Sequence, residues 1–172
     1  MSANVEIKAR VRDPEAFAAA AAALSDGPVQ EIPQHDVFFR VPAGRLKLRR
    51  FADGTGELIQ YSRPDRPGPK TSDYVLAPTT ACDALREALA RALGEAGEVI
   101  KRRRLWLSGR TRIHLDDVEG LGCFMELEVV LEPQEDPAAG RAEADRLMAD
   151  LGVVETDLVD RAYVDLLNGG NR

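Results

Sequence analysis

The sequence predicts an α+β fold: about eight antiparallel strands, able to close into a barrel, with helices packed outside. Three observations predict it. Stretches of period-two alternation recur along most of the chain. Short Gly- and Pro-bearing turns join consecutive stretches, which imposes antiparallel pairing. Four capped helical segments interrupt them. The 172 residues suit one domain over 1–172.

The strands fall at roughly residues 3–11, 34–41, 44–52, 56–63, 71–77, 97–108, 110–117 and 122–131. "PAG" at 42–44, "DGTG" at 53–56, "SG" at 108–109 and "EGLG" at 119–122 are the turn signals between them. Asp13 and Pro14 open the first helix, in which Phe17, Ala20, Ala21 and Leu24 share a face before Asp26 and Gly27 close it. Thr79 or Thr80 caps a second, with Leu85, Leu89 and Leu93 every four residues up to Gly94. Asp136 and Pro137 open a third, with Leu147, Met148 and Leu151 ahead of Gly152. A short last helix runs from Asp157 or Leu158 to Asn168, and "NGGNR" reads as a frayed tail. The proline-rich "RPDRPGPK" at 63–70 reads as an exposed connector; its cations Arg63, Arg66 and Lys70 leave open a basic lip over a ligand site.

A formal charge of −6 argues against a general nucleic-acid or anionic-membrane binder, which needs a broad basic surface. The chain has no membrane-spanning apolar run and no signal-peptide layout at its start, so a cytoplasmic protein is expected. Cys82 and Cys123 stand in no zinc or disulfide pattern and read as buried free thiols.

The alternation carries charge. In "NVEIKAR", Asn4, Glu6, Lys8 and Arg10 oppose Val5, Ile7 and Ala9. Arg45, Lys47 and Arg49 share a face, as do Lys101 with Arg103, Arg112 with His114 and Asp116, and Glu126 with Glu128. A wet sheet face would alternate in this way, but it would intersperse the signs. Here cations gather on some strands and carboxylates on others. Barrel closure turns such a face inward, so that the lumen holds carboxylates for a hard divalent ion and cations for phosphate oxygens. The guest that matches both is a metal-bound polyphosphate.

These residues resemble the CYTH domain proteins among the triphosphate tunnel metalloenzymes, which include class IV adenylyl cyclases and thiamine triphosphatases. Six segments in order carry the resemblance: "VEIKARV", "HDVFFRVPAGRLKLR", "LIQYSRPDRPGPKTSDY", "VIKRRRLWL", "RIHLDDVEGLGCFMELE" and "DRAYVDLL". It implies an eight-stranded tunnel binding a triphosphate with Mg²⁺ or Mn²⁺. Glu6 and Lys8 match the last two charged positions of the family's ExExK signature, and Asn4 stands where the first Glu belongs.

By the same resemblance Lys8, Lys47, Arg49, Arg63, Lys101, Arg103 and Arg112 would bind the triphosphate. Glu6, Asp116, Glu126 and Glu128 would hold the metal, and Glu6 or Lys8 would deprotonate the nucleophile. His114 is either a ligand contact or a structural histidine, His35 is solvated, and Tyr61 and Tyr163 are read as packing residues. The implied reaction is class IV adenylyl cyclase-like, ATP to cyclic AMP and pyrophosphate. The alternatives are hydrolysis of a triphosphate and binding without turnover. The expected partner is a small-molecule triphosphate (ATP, thiamine triphosphate or inorganic triphosphate), with no nucleic acid and no membrane, on a monomer or homodimer.

Overall fold

In the computed structural model, which describes residues 2–169, eight antiparallel strands close into a barrel in the order β1-β5-β4-β3-β2-β6-β7-β8. They are β1 (Ser2–Arg10), β2 (Gln30–Phe39), β3 (Arg45–Phe51), β4 (Gly56–Ser62), β5 (Lys70–Thr79), β6 (Glu95–Ser108), β7 (Thr111–Val118) and β8 (Gly122–Val130). Helices α1 (Pro14–Leu24), α2 (Cys82–Leu93), α3 (Pro137–Asp150) and α4 (Tyr163–Leu167) lie outside the strands. No helix among the described residues is long and apolar enough to cross a membrane.

The apolar core lies outside the barrel wall. Val5, Ile7 and Ala9 of β1, Ile113 and Leu115 of β7, and Met125, Leu127 and Val129 of β8 point outward under α1 and α3, packing with Phe17, Ala21, Ala144 and Leu147. A smaller cluster of Val37, Phe39 and Leu48 sits under Leu85 and Leu89 of α2. Period two then sends the residues between them, the charged ones, into the lumen.

Close approach of α3 requires Gly140, where a Cβ would stand 2.7 Å from Leu131 Cδ2 and 3.0 Å from Val5 Cγ2. Gly97, with φ +147°, sits beside the register shift between Phe38 and Phe39 on β2. A Cβ there would meet Val164 Cγ2 at 2.7 Å, so the glycine lets α4 seat against that end of the barrel.

Asp13 and Asp136 cap α1 and α3 as their positions predict, each accepting a backbone N–H from the first turn. Two expectations are corrected. Thr79 accepts the Ala81 N–H two residues ahead of the N-cap, which is Ala81 itself, so no threonine side chain caps α2 at Cys82. The chain after α3 forms a 3-10 turn at Glu155–Asp157 and runs extended before α4 begins at Tyr163, because Val159 pairs with the Lys8 carbonyl and Ala9 bridges to Leu158. Of the expected frayed tail, residues 170–172 lie outside the described residues. Neither cysteine is in a disulfide; Cys82 is buried and Cys123 half-buried.

Candidate active site

The lumen is a cavity of about 400 Å³ lined by inward residues of all eight strands and, at one end, by Ala162 and Tyr163. That size suits a small molecule, for which sites run roughly 300–1,000 Å³. Asn4, Glu6 and Lys8 of β1 all face it, so the opening alternation is one stave of the wall.

Pairing of β1 with β8 sets Glu6 opposite Glu128 and Lys8 opposite Glu126. The result is one acidic cluster: Glu6, Glu126 and Glu128 each offer a carboxylate oxygen within 4.8 Å of the others. Lys8 Nζ lies 3.8 Å from Glu126 and 4.0 Å from the centre of the Tyr163 ring. Arg63 Nη1 reaches Glu6 at 2.6 Å. Burial, reinforced by Glu126, raises the Glu6 carboxyl above its ordinary range, and burial lowers the Lys8 ammonium. Burial would also raise Glu126, but Lys8 and Arg103 override it and hold that carboxylate well below the usual range.

The basic strands show one arrangement twice. On β3, Lys47 and Arg49 share the Asp36 carboxylate of β2: Arg49 donates to both oxygens at 2.8 Å and Lys47 at 2.9 Å. On β6, Lys101 and Arg103 share Asp116 of β7: Arg103 donates to both oxygens at 2.7 Å, and Lys101 stands 3.4 Å away. Cross-strand register makes both clamps, placing Asp36 opposite Arg49 and Asp116 opposite Arg103. Burial alone would raise either aspartate; Arg49 with Lys47, and Arg103 with Lys101, hold both well below the usual range. Lys101 is pushed down to about 7 by burial and by Arg103 beside it.

The expected site residues therefore converge, with one displaced. Lys47, Arg49, Arg63, Lys101 and Arg103 face the lumen, and Arg112 sits at its rim, 41% exposed and 3.4 Å from Glu128. Asp116 stands apart from the acidic cluster: it has no exposure, and Tyr163 donates to it at 3.0 Å in addition to the two cations. Arg45, expected on the same face as Lys47, instead ties Asp165 of α4 at 2.6 Å to Asp65 of the 63–69 connector. That connector is anchored at both ends, for Arg63 enters the lumen and Lys70, fully buried, donates to the Arg66 carbonyl at 3.0 Å.

Several lining groups were not read as site residues. Asp36 lies on the Gln34–Phe38 alternation inside a segment already read as a strand, so its charge was the available signal. Tyr61 and Tyr163 line the cavity rather than only packing. His35 faces outward and bonds Glu98 at 2.7 Å. His114 faces inward, held near 4 by burial and by Arg103, hence neutral at pH 7. Its Nδ1, with Asn4 Oδ1 and Gln34 Oε1, is buried with no hydrogen-bond partner among the described residues, leaving polar valence for whatever fills the lumen.

Comparison with known proteins agrees with this architecture. The chain is 27% identical to adenylate cyclase CyaB of Aeromonas hydrophila over 169 residues, covering 93% of this chain and 86% of that protein. Solved structures from Pyrococcus horikoshii (22% identity, TM-score 0.81, covering 95% of this chain and 98% of that one) and Pyrococcus furiosus (21%, 0.82, 95% and 99%) share the fold. Residues 2–163 match the family model for the CYTH domain, and the chain belongs to the CYTH domain family.

Proposed function

We propose that this protein is a divalent-metal-dependent enzyme acting on a triphosphate inside the tunnel, with the adenylyl cyclase reaction, ATP to cyclic AMP and pyrophosphate, as its chemistry. The observation that carries this reading is the acidic cluster of Glu6, Glu126 and Glu128 sharing one lumen with two Lys-x-Arg pairs. A 27% identical cyclase aligned over nearly the whole chain supports it.

The donor set fits Mg²⁺ or Mn²⁺: three hard carboxylate oxygens close enough to share an ion, with no soft ligand among them. Bound there, the ion would supply positive charge to the reacting phosphates. Lys47, Arg49, Lys101 and Arg103, with Lys8 and Arg63, bind the remaining phosphate oxygens, and Arg112 meets the ligand at the rim. Asp116 acts as the positioning partner of Lys101 and Arg103, its remaining valence taken by Tyr163.

In the reaction the ribose 3′-oxygen attacks the α-phosphorus, the bond from that phosphorus to the bridging oxygen breaks, and its electron pair leaves with pyrophosphate. The hydroxyl proton passes to Lys8, whose neutral form burial favours, while Glu6 stays among the carboxylates that would hold the ion. The walls supply preorganised charge rather than covalent chemistry.

Purified protein incubated with ATP, thiamine triphosphate or inorganic triphosphate, each with Mg²⁺ or Mn²⁺, tests the reading by product analysis. Cyclic AMP with pyrophosphate is expected from ATP. Released phosphate without cyclic AMP would replace the reading by a triphosphatase, in which water takes the place of the 3′-hydroxyl. Binding without any product would make the tunnel a sensor.

A further inference from the structure

We infer that Asp36 is a built-in competitor for the phosphate site: its carboxylate occupies the place of a phosphate between Lys47 and Arg49, and a ligand must displace it. The inference rests on the triphosphate reading of the lumen and adds to it a residue that weakens the hold on every phosphate reaching that clamp.

The two clamps differ in how their carboxylates are held. Asp116 has no exposure, does not line the cavity and is locked by the Tyr163 hydroxyl at 3.0 Å in addition to its cations. Asp36 lines the lumen, and among the described residues its side chain accepts only from Lys47 and Arg49, the groups a phosphate would contact. No neutral donor anchors it. Both of its oxygens are already spent on the guanidinium fork, in the bidentate geometry by which arginine also grips phosphate.

A ligand reaching Lys47 and Arg49 therefore exchanges one buried anion for another and gains little from the exchange itself. The gain must come from the rest of the lumen, from Lys101, Arg103, Lys8 and Arg63. A triphosphate is long enough and charged enough to contact those groups as well. Orthophosphate and pyrophosphate leave part of them unsatisfied and bind more weakly. The cost of displacing Asp36 is shared by every ligand that reaches the clamp, so its removal should tighten them all; a scaffold role for Asp36 alone would instead lower the affinity for all phosphates together.

The test is calorimetric binding of orthophosphate, pyrophosphate and triphosphate to wild type and Asp36→Asn, without divalent metal so that nothing turns over. In the variant triphosphate and pyrophosphate should tighten together, by about tenfold or more, since each is relieved of displacing the same anion. Asp36→Glu, which keeps the competing charge, should stay near the wild-type affinities. A folded Asp36→Asn whose affinities for triphosphate and pyrophosphate do not rise overturns the inference and leaves the triphosphate reading standing. Wild type that binds no triphosphate, with Mg²⁺ as well as without it, overturns both.

Should Asp36→Asn fail to fold, a crystal structure of the wild type with triphosphate decides. A phosphate oxygen on Lys47 Nζ with Asp36 turned away is expected. Asp36 still 2.9 Å from Lys47 refutes the inference.

Discussion

Lys101 should take up a proton when a triphosphate binds. Burial and the neighbouring Arg103 bring its ammonium from the ordinary 10.5 down to about 7. At that value the free protein carries the charge in about nine-tenths of molecules at pH 6 and about one-tenth at pH 8. A phosphate chain against Nζ favours the ammonium, so binding should draw in about 0.1 proton at pH 6 and close to 0.9 at pH 8 from this residue. Affinity should accordingly fall by up to about tenfold per pH unit above 7.

Calorimetry in two buffers of different ionisation enthalpy reads the uptake. Lys101→Met supplies the reference, since protons exchanged by the ligand, or by Lys70 held at about 8, are common to both proteins. An excess uptake in wild type that is the same at pH 6 and pH 8 would refute the reasoning. The sign for folding is opposite. Between about 7 and 10.5 the unfolded chain holds the proton that the folded one has lost, so the cost of burying this lysine is full below pH 7 and relieved as pH rises.

Other residues carry separate expectations. Glu126→Gln with Glu128→Gln should lower metal-dependent turnover by about 100-fold or more in a steady-state assay, and near-full activity would remove both from the metal site. Gly140→Ala should cost about 1–3 kcal/mol in urea unfolding, because the added methyl meets Leu131 and Val5; a change under about 0.5 kcal/mol would mean that α3 shifts freely. Tyr163→Phe should cost about 1 kcal/mol by the same measurement through loss of the bond to Asp116, and an unchanged midpoint would show that the hydroxyl does not anchor that carboxylate.

Much of the barrel was legible because period two is a local signal that short turns preserve. Val5, Glu6, Ile7 and Lys8 announce a wall with one apolar and one charged face, and every predicted strand is present with its ends moved by a few residues. Gln30 extends β2 beyond the predicted start because β6 is long enough to pair with it at Leu105, a partnership no local pattern shows. The site was legible in its residue types and less so in its groupings. Glu126 and Glu128 are neighbours on one strand, but Glu6 joins them only through the β1–β8 register. Asp116 was separated from them by Arg103, which sits directly opposite and claims both oxygens. Lys70, read within a connector, opens β5 with no exposure and donates to the Arg66 carbonyl, a contact across the connector that no local pattern shows.

The position of the apolar core outside the wall divides the labour of each strand between alternate residues. Ile7 and Leu127 hold the helices on, while Glu6, Glu126 and Glu128 line the lumen one step along the same backbone. An exchange of inward side chains therefore alters what the tunnel accepts without touching the contacts that dock α1 and α3. Such a scaffold can change chemistry by single substitutions on one face and keep its architecture on the other, and Asn4 stands on the face where such a change would act.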